Sequence, residues 1–256
     1  MSEFETLAID VHDGWAEITL NRPDVLNALN RQMVDDLHAA LEQLATNEDV
    51  RGLIFLGAGD RAFVAGADIS ELVDRSRADA LLGINAAVFQ KIEDFPWPTI
   101  AVIRGFALGG GCEMALSCDI RLGGESAQMG QPEVKLGIIP GAGAPHRLTR
   151  TVGSGRAREL IFVGGIIEAD EALRIGLLNH VYPDGEVLTH ARKMMERMLR
   201  NSPMAMRVAK VALNAASNTV DRRSSMVECL GQGLLFDSDD QRKRMTDFLE
   251  KRSRKN

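Results

Sequence analysis

The sequence has few cysteines and no excess of positive charge. Its 256 residues include three cysteines, Cys112, Cys118 and Cys229, with no CxxC pair and no cysteine–histidine spacing typical of metal sites. This pattern favours neither a disulfide framework nor a structural zinc site, and it is typical of a reducing compartment. The formal net charge of -6 argues against non-specific nucleic-acid binding, which requires basic surfaces that displace counterions from phosphates.

Long apolar runs are also missing. No stretch approaches the run of about 18 uninterrupted apolar residues that a membrane-spanning helix requires. The opening residues, MSEFETLAIDV, lack the basic and apolar regions of a signal peptide. We therefore expect no membrane association and a cytoplasmic location.

Strand and helix patterns alternate along the first half of the chain. Alternating apolar residues on either side of His12-Asp13-Gly14 predict a β-hairpin of Leu7–Val11 with Trp15–Leu20. Asn30 is a candidate N-cap for a helix that ends near Thr46. Further strands are predicted at 52–57, 99–103 and near 119–122, and further helices at 79–94, after Gly111, and at 147–162, 168–175, 186–200, 203–215 and 238–251.

Strand signals become sparse after about Gly141, and helical patterns dominate from there. Alternating strands and helices favour an α/β core, which a helical C-terminal region would follow. The length fits one large domain or one domain with a smaller extension, and no low-complexity linker separates the two halves.

Two loops rich in small residues follow predicted strands. The denser one, Ala107–Leu116, contains three consecutive glycines. If a helix starts at about Gly111, its N-H groups and dipole favour a phosphate or an oxyanion nearby. No Lys-Ser/Thr follows, which argues against a Walker-type phosphate loop. The other loop, Phe63–Ile69, leads into a helix start at Asp68 or Ser70, and small residues there are more often a steric requirement than part of a site.

Two glutamates are candidate acid/base groups. Glu113 lies within an apolar helical stretch, where a buried carboxylate needs a partner or a shifted pKa. Glu133 follows Pro132 in a predicted loop. Taken singly, an exposed helix residue and a solvated loop carboxylate are the more common alternatives.

Taken together, these segments resemble the enoyl-CoA hydratase/isomerase, or crotonase, family. The matching segments, in the family's order, are NRPDVLNALN at 21–30, AFVAGADI at 62–69, GFALGGGCEMALSCDI at 105–120, AQMGQPEVKLGIIPGAG at 127–143, EALRIGLLNHVYP at 171–183, SPMAMRVAK at 202–210 and FLEKR at 248–252. The resemblance implies an α/β fold, a spiral of ββα units, with its active site in residues 1–195. It also implies a helical oligomerisation region at 196–256 and homotrimers, usually paired into homohexamers.

The resemblance implies an oxyanion hole formed by the backbone N-H groups of Ala67 and Gly110. It identifies Glu113 and Glu133 with the two carboxylates of the hydratases. In the expected division of roles, Glu113 holds and deprotonates the water that attacks C3, and Glu133 delivers a proton to C2. No metal and no redox cofactor are expected.

The resemblance also implies contacts with the coenzyme A part of an acyl-CoA substrate. The expected residues are Leu26, Ala28, Ala65, Gly66, Ala67, Asp68, Ile69, Ser70, Gly110 and Lys251. The adenine is expected under the loop that ends at Ser70. Lys251 could meet the phosphates, although a solvated lysine in a basic tail is an equal alternative.

The presence of both glutamates favours an enoyl-CoA hydratase, a hydro-lyase that adds water reversibly, in syn geometry, to a trans-2-enoyl-CoA to give 3-hydroxyacyl-CoA. A Δ3-Δ2 enoyl-CoA isomerase, or another reaction of the family at the same oxyanion hole, is the closest alternative. Outside the enzymes, a catalytically weak coenzyme A binding or assembly subunit remains open. The sequence leaves the acyl chain length and branching undecided.

Two segments depart from the family's pattern. Ala144-Pro145-His146 stands where many hydratases have Gly-Thr-Gln. Proline is tolerated in the first turn of a helix, and His146 is expected on a helix surface. Arg242-Lys243-Arg244 adds positive charge where relatives often have Lys-Glu-Gly.

Overall fold

The computed structural model describes residues 4–217, 229–233 and 235–253. Within them the chain forms two β-sheets. The strands of the larger sheet, in spatial order, are β1 (Leu7–Val11), β2 (Gly14–Leu20), β3 (Val50–Gly57), β5 (Thr99–Ile103), β7 (Ile120–Gly124) and β10 (His180–Tyr182). Those of the smaller sheet are β4 (Ala62–Val64), β6 (Phe106–Leu108), β8 (Gln128–Gly130) and β9 (Ile166–Glu168).

Helices fill the connections between these strands. They are α1 (Arg31–Ala45), α2 (Ile69–Leu72), α3 (Arg77–Leu82), α4 (Ile84–Glu93), α5 (Gly110–Ser117), α6 (Ala144–Val152), α7 (Ser154–Val163), α8 (Ala169–Arg174), α9 (Val187–Leu199), α10 (Pro203–Ser217) and α11 (Asp239–Ser253). Pro23–Val25 and Glu133–Leu136 form 3-10 turns, and residues 229–233 and 235–236 are also helical.

The chain alternates between the two sheets as it advances. β3, β5 and β7 lie side by side and parallel in the larger sheet, and the strand that follows each of them, β4, β6 or β8, belongs to the smaller sheet. Helices follow each such pair of strands. The predicted α/β spiral of ββα units is therefore confirmed.

The opening hairpin is confirmed as well. β1 and β2 pair antiparallel, with Leu7 opposite Leu20, and Gly14 adopts a φ of +98° where the turn meets β2. β2 then pairs with β3 in parallel. The side chain of Asn30 accepts a hydrogen bond from the Met33 N-H at 3.0 Å, so the predicted N-cap of α1 is correct.

Two helices predicted as continuous are interrupted by glycine. The helix expected at 79–94 is divided into α3 and α4 at Gly83, which has a φ of +57°. The helix expected at 147–162 is divided into α6 and α7 at Gly153, with a φ of +80°. Apolar periodicity continues through both breaks, so the spacing of side chains alone did not reveal the backbone turns.

The smaller sheet was missed by the residue patterns. Each of its four strands has three residues, which is too short for an alternating pattern to stand out from the surrounding loop. This sheet matters for the site because β6 leads directly into α5, the helix that carries Glu113. α5 also packs closely on β4 of the same sheet, since a methyl group on Gly111 would lie 2.0 Å from the Val64 carbonyl oxygen.

The C-terminal helices pack on the α/β body in different ways. α9 covers one face of the larger sheet, where Ala191 and Met195 join Ile54 and Ile100 in an apolar cluster. It also spans residue 195, so the body and the helical region share this helix, and the division into two domains stays a prediction. Within the described residues, none of the helices has the length and hydropathy needed to cross a membrane.

We predict that Gly111→Ala lowers the free energy of unfolding by about 1–3 kcal/mol or more, because the added methyl group displaces backbone at the contact with Val64. Gly155→Ala is the matched control, since a methyl group there has no atom within 4 Å and α7 gains helix propensity. We expect Gly155→Ala to raise the free energy of unfolding by about 0.4–1 kcal/mol. Urea unfolding at one protein concentration measures both, and equal effects would contradict the packing argument.

Candidate active site

A cavity of about 550 Å³ lies where the ends of the ββα units meet the C-terminal helix. One wall carries the loop of Gly66 and Ala67 together with the start of α5 at Gly110. Another is formed by α11, which packs on α2 and on the 3-10 turn of Glu133–Leu136. Segments that are distant in sequence therefore line one cavity.

The two expected oxyanion-hole amides lie close together in this cavity. A methyl group on Gly110 would be 3.6 Å from the nitrogen of Ala67. Hydrogen bonds from the Leu29 N-H to Gly66 and from the Asp68 N-H to Leu29 hold the loop on either side of Ala67. The first residue of α5 is Gly110, so its N-H has no acceptor inside the helix. This pair of donors suits an oxygen that gains negative charge.

Glycine is required at the start of α5 for steric reasons. Gly109 has a φ of +52° and a ψ of -121°, which residues with a β-carbon rarely adopt. A methyl group on it would lie 2.9 Å from a carboxylate oxygen of Glu133. The glycine cluster thus allows both the turn into the helix and the approach of a carboxylate to its backbone.

Glu113 lies one turn into α5 and is only 3% exposed. Its Oε1 accepts hydrogen bonds from the N-H groups of Ala142 at 2.8 Å and Ala144 at 3.0 Å. Two backbone donors stabilise the ionised form of a buried carboxylate. The alternative of an exposed helix residue is therefore wrong for Glu113.

Glu133 is the first residue of a 3-10 turn and is 8% exposed, so the alternative of a solvated loop carboxylate is wrong. Burial raises the pKa of Glu133 well above its ordinary value, and the nearby charge of Glu113 raises the pKa further. The side-chain amide of the buried Gln131 is assigned with its NH2 group toward Glu133. In this orientation it donates to both carboxyl oxygens of Glu133, at 3.0 and 3.2 Å. Both glutamates line the cavity.

A buried ion pair supports the loop that holds Glu113. Arg147 donates to the Ala142 carbonyl at 3.0 Å and to Glu93 at 2.8 Å, and Arg150 donates to the other oxygen of Glu93 at 2.8 Å. Burial acts to raise the pKa of Glu93, but the charges and hydrogen bonds of the two arginines outweigh it and lower the pKa. These residues were missed by the sequence analysis, although charged residues within the apolar pattern of α4 and α6 are a signal for a buried pair.

Most of the residues expected to contact coenzyme A reach the cavity wall. Those that line it are Ala65, Gly66, Ala67, Ile69, Gly110 and Lys251. Arg244 and Phe248, on the same helix as Lys251, line it too. The residues that line the cavity do not include Leu26, Ala28, Asp68 or Ser70. The expected contacts of these four with coenzyme A stay predictions.

Asp68 has a structural role in the loop of residues 65–70. Its carboxylate accepts from both terminal nitrogens of Arg22 at 3.1 Å and from the Ser70 N-H at 3.2 Å, which caps α2. Arg22 also donates to the Ala28 carbonyl at 2.6 Å. This network ties the segment 22–28 to the loop that carries Ala67.

The two segments that depart from the family's pattern, 144–146 and 242–244, lie in α6 and α11. Pro145 lies in the first turn of α6, the position at which its missing N-H is tolerated. His146 is half-buried rather than fully on the surface. Arg244 lines the cavity and pairs with Asp240 at 2.7 Å, whereas Lys243 is exposed.

Among the described residues, no group of three histidine, cysteine or acidic side chains is placed to hold a metal ion.

Comparison with known proteins identifies the family. A sequence model of the family described as enoyl-CoA hydratase/isomerase matches residues 10–255. The chain is 40% identical to the short-chain-enoyl-CoA hydratase of Clostridium acetobutylicum over 254 residues, which cover 98% of this chain and 97% of that one. It is also 40% identical to the crotonyl-CoA hydratase of Syntrophomonas wolfei, over 97% of this chain and 96% of the relative.

A solved structure shows the same fold. The crystal structure of an enoyl-CoA hydratase from Mycobacterium avium subsp. paratuberculosis superimposes with a TM-score of 0.88 at 32% identity, and 97% of each chain is covered. The chain therefore belongs to the enoyl-CoA hydratase/isomerase family.

We predict that Glu133→Gln stabilises the protein at neutral and higher pH. Above pH of about 4.5 the unfolded carboxyl loses its proton while the buried one keeps it, so rising pH favours unfolding until the folded pKa is passed. Glu133→Gln removes this pH-dependent loss of stability. Its melting temperature should therefore rise relative to that of the wild type as the pH increases. Melting curves at pH 5 and pH 8 measure the difference.

Glu93→Gln is the matched control for that experiment. Its lowered pKa contributes stability that is present above the unfolded pKa and is lost as the pH falls through the folded pKa. The control should therefore melt below the wild type at pH 8. A Glu133→Gln midpoint that shifts equally at both pH values would contradict the raised pKa.

Proposed function

We propose that the protein is an enoyl-CoA hydratase that adds water reversibly, in syn geometry, to a trans-2-enoyl-CoA and forms 3-hydroxyacyl-CoA. The observation that carries the proposal is one cavity lined by two buried carboxyl groups, Glu113 and Glu133, whose surroundings favour opposite protonation states. The reaction needs a base and an acid at the same time, because C3 receives the oxygen of water while C2 receives a proton.

The amides of Ala67 and Gly110 are the proposed oxyanion hole. The thioester oxygen accepts hydrogen bonds from both N-H groups, which strengthen as the electrons of the C2=C3 bond move into the carbonyl and form an enolate. Such a donor contributes on the order of 3 kcal/mol to the stability of the transition state. The position of Gly110 at the start of α5 adds the positive end of the helix dipole.

Glu113 is the proposed base and Glu133 the proposed acid. The ionised Glu113 takes a proton from water as the oxygen bonds to C3, and the protonated Glu133 gives its proton to C2 of the enolate. The pair holds one proton before and after the reaction, and exchange with water returns it to Glu133. Because adjacent acids titrate as a pair, the pair is better supported than the individual roles.

The acyl-CoA thioester is the proposed substrate, and the reaction requires no redox cofactor because no electrons are gained or lost overall. Coenzyme A would lie along the loop of residues 65–70, with Lys251 of α11 meeting a phosphate. Lys251 is exposed and lines the cavity, so it can reach a phosphate of a bound coenzyme A. We also propose a cytoplasmic location, which the buried, free Cys112 and Cys118 support.

We predict that crotonyl-CoA is hydrated and that Glu113→Gln and Glu133→Gln each lower kcat by about 10²–10⁴-fold, because each variant removes one partner of the acid/base pair. Loss of the absorbance of the conjugated enoyl thioester follows the reaction. Glu196→Gln is the matched control, since this glutamate is exposed on α9 and outside the cavity lining.

Three results would contradict the hydratase. A folded protein that binds coenzyme A but leaves crotonyl-CoA and longer enoyl-CoA unchanged would exclude hydration. Conversion of a 3-enoyl-CoA into a 2-enoyl-CoA without hydration would identify an isomerase. If Glu113→Gln and Glu133→Gln both left the protein's coenzyme A binding or assembly unchanged, the protein would be a binding subunit.

We also propose a homo-oligomer, a trimer or a pair of trimers. α10 presents an apolar face to solvent: Met204 is 70% exposed, Val208 59% and Val211 69%, at a spacing that places them side by side. A contiguous apolar face of this kind is typical of a protein interface.

We predict a solution mass of three or six chains of 27.9 kDa by light scattering. Replacing Val208 and Val211 together by lysine should lower the mass, because charges cannot be buried unpaired in an interface. Leu213→Lys puts a charge on a different side of α10 and should keep the assembly. A wild-type monomer would contradict the proposal.

A further inference from the structure

The helical segment 229–233 contacts the backbone that leads into the loop around Glu113. The Oε1 atom of Gln232 accepts a hydrogen bond from the Ile139 N-H at 3.2 Å. The same side chain extends over Gly141, with its Cδ atom 3.5 Å from the place that a methyl group on Gly141 would take. Gln232, Ile139 and Gly141 all line the cavity. One glutamine therefore contacts the chain on both sides of residue 140.

These contacts lie beside one of the two amides that donate to Glu113. The Ala142 N-H, which donates at 2.8 Å, belongs to the peptide group between Gly141 and Ala142. Arg147 binds the Ala142 carbonyl, which belongs to the next peptide group. Arg147 thus holds one side of Ala142, and the contacts of Gln232 lie on the other side, next to the donating N-H.

Pro140 stiffens the contacted backbone. Its ring fixes its own φ, and its steric bulk restricts Ile139, the residue before it. A displacement of Ile139 is therefore passed on toward Gly141, because the residue between them cannot absorb it. Gly141 has no side chain of its own to pack, so the side chain of Gln232 supplies the contact on that face.

We propose that Gln232 is a positioning residue for the base of the reaction, since it holds the backbone before Ala142 so that the Ala142 N-H is directed at Glu113. The proposal rests on the hydratase activity proposed above, in which Glu113 takes a proton from water. Gln232 acts through the backbone and does not need to touch the reacting atoms. A glutamine suits this role because its amide oxygen accepts from a backbone N-H.

The pH dependence of kcat distinguishes this role from general support of the fold. Two backbone donors favour the ionised form of Glu113, so weaker donation leaves the base protonated up to a higher pH. Glu133 is the other titratable group of the pair, and the two titrate together. The acidic limb of the kcat profile therefore reports how well the Ala142 amide is placed.

The test compares two variants of Gln232 with crotonyl-CoA as the substrate. Gln232→Met keeps an unbranched chain over Gly141 but removes the acceptor for the Ile139 N-H, and kcat should fall by about 3–10-fold. Gln232→Ala also removes the cover of Gly141 and should lower kcat further. In both variants the acidic limb of the kcat profile should move to higher pH, and KM should change less than kcat.

Hydrogen exchange followed by mass spectrometry tests the contact independently of catalysis. Peptides that cover residues 136–144 should exchange faster in Gln232→Met than in the wild type, because the Ile139 N-H loses its acceptor. Gln32→Met is the matched control, since it removes one side-chain hydrogen bond, to Asp36 at 2.8 Å, on α1 and outside the cavity lining. Its kcat, its pH profile and its exchange at 136–144 should match the wild type.

Three results would overturn the role of Gln232 but not the hydratase. Unchanged kcat and unchanged exchange in Gln232→Met would show that the backbone at 139–141 keeps its place without the glutamine. A kcat that falls by the same factor at every pH would place the loss away from the base. A KM that changes with acyl chain length, while the pH profile stays the same, would make Gln232 part of the acyl-binding wall.

Failure of the wild type to hydrate any enoyl-CoA would contradict the proposed function, and the positioning role would fall with it. The hydrogen-exchange result separates this case from the others. Faster exchange at 136–144 in Gln232→Met would then show that the contact forms in a protein that is not a hydratase.

Discussion

The two hydrogen bonds from the Ala142 and Ala144 amides to Glu113 are the interaction on which the rest of the site depends. They stabilise a negative charge inside the fold, and that charge helps raise the pKa of Glu133. The difference between the two carboxyl groups therefore arises from their surroundings, since both are glutamates. Without those amides, burial would favour the neutral form of Glu113 as well.

The amides are themselves held in place by a buried charge network. Arg147 binds the carbonyl of Ala142 on one side and Glu93 on the other, so the loop cannot move away from Glu113 without disturbing a buried ion pair. Breaking such a pair by removing one partner is costly, because it leaves an uncompensated charge. This network connects α4 and α6 to the chemistry of a carboxylate on α5.

Close backbone packing fixes the other half of the site. The glycines at 109–111 let α5 begin against the backbone of β4 and let Glu133 approach the backbone of Gly109. The helix start then presents the Gly110 amide next to that of Ala67. Because α11 covers the same cavity, the C-terminal helix contributes Lys251 and Arg244 to a wall that also includes residues of the α/β body.

The sequence by itself determined the fold class, the hairpin, the cap of α1 and the residues that are proposed to carry the chemistry. Apolar periodicity and end signals are local properties that a linear pattern records, and the resemblance of ordered motifs identified Glu113, Glu133, Ala67 and Gly110. The tertiary structure alone decided that both glutamates are buried, that Arg147 supports the loop around Ala142, and that the three-residue strands form a second sheet. Burial and unequal protonation depend on segments far apart in the chain, which no local pattern describes.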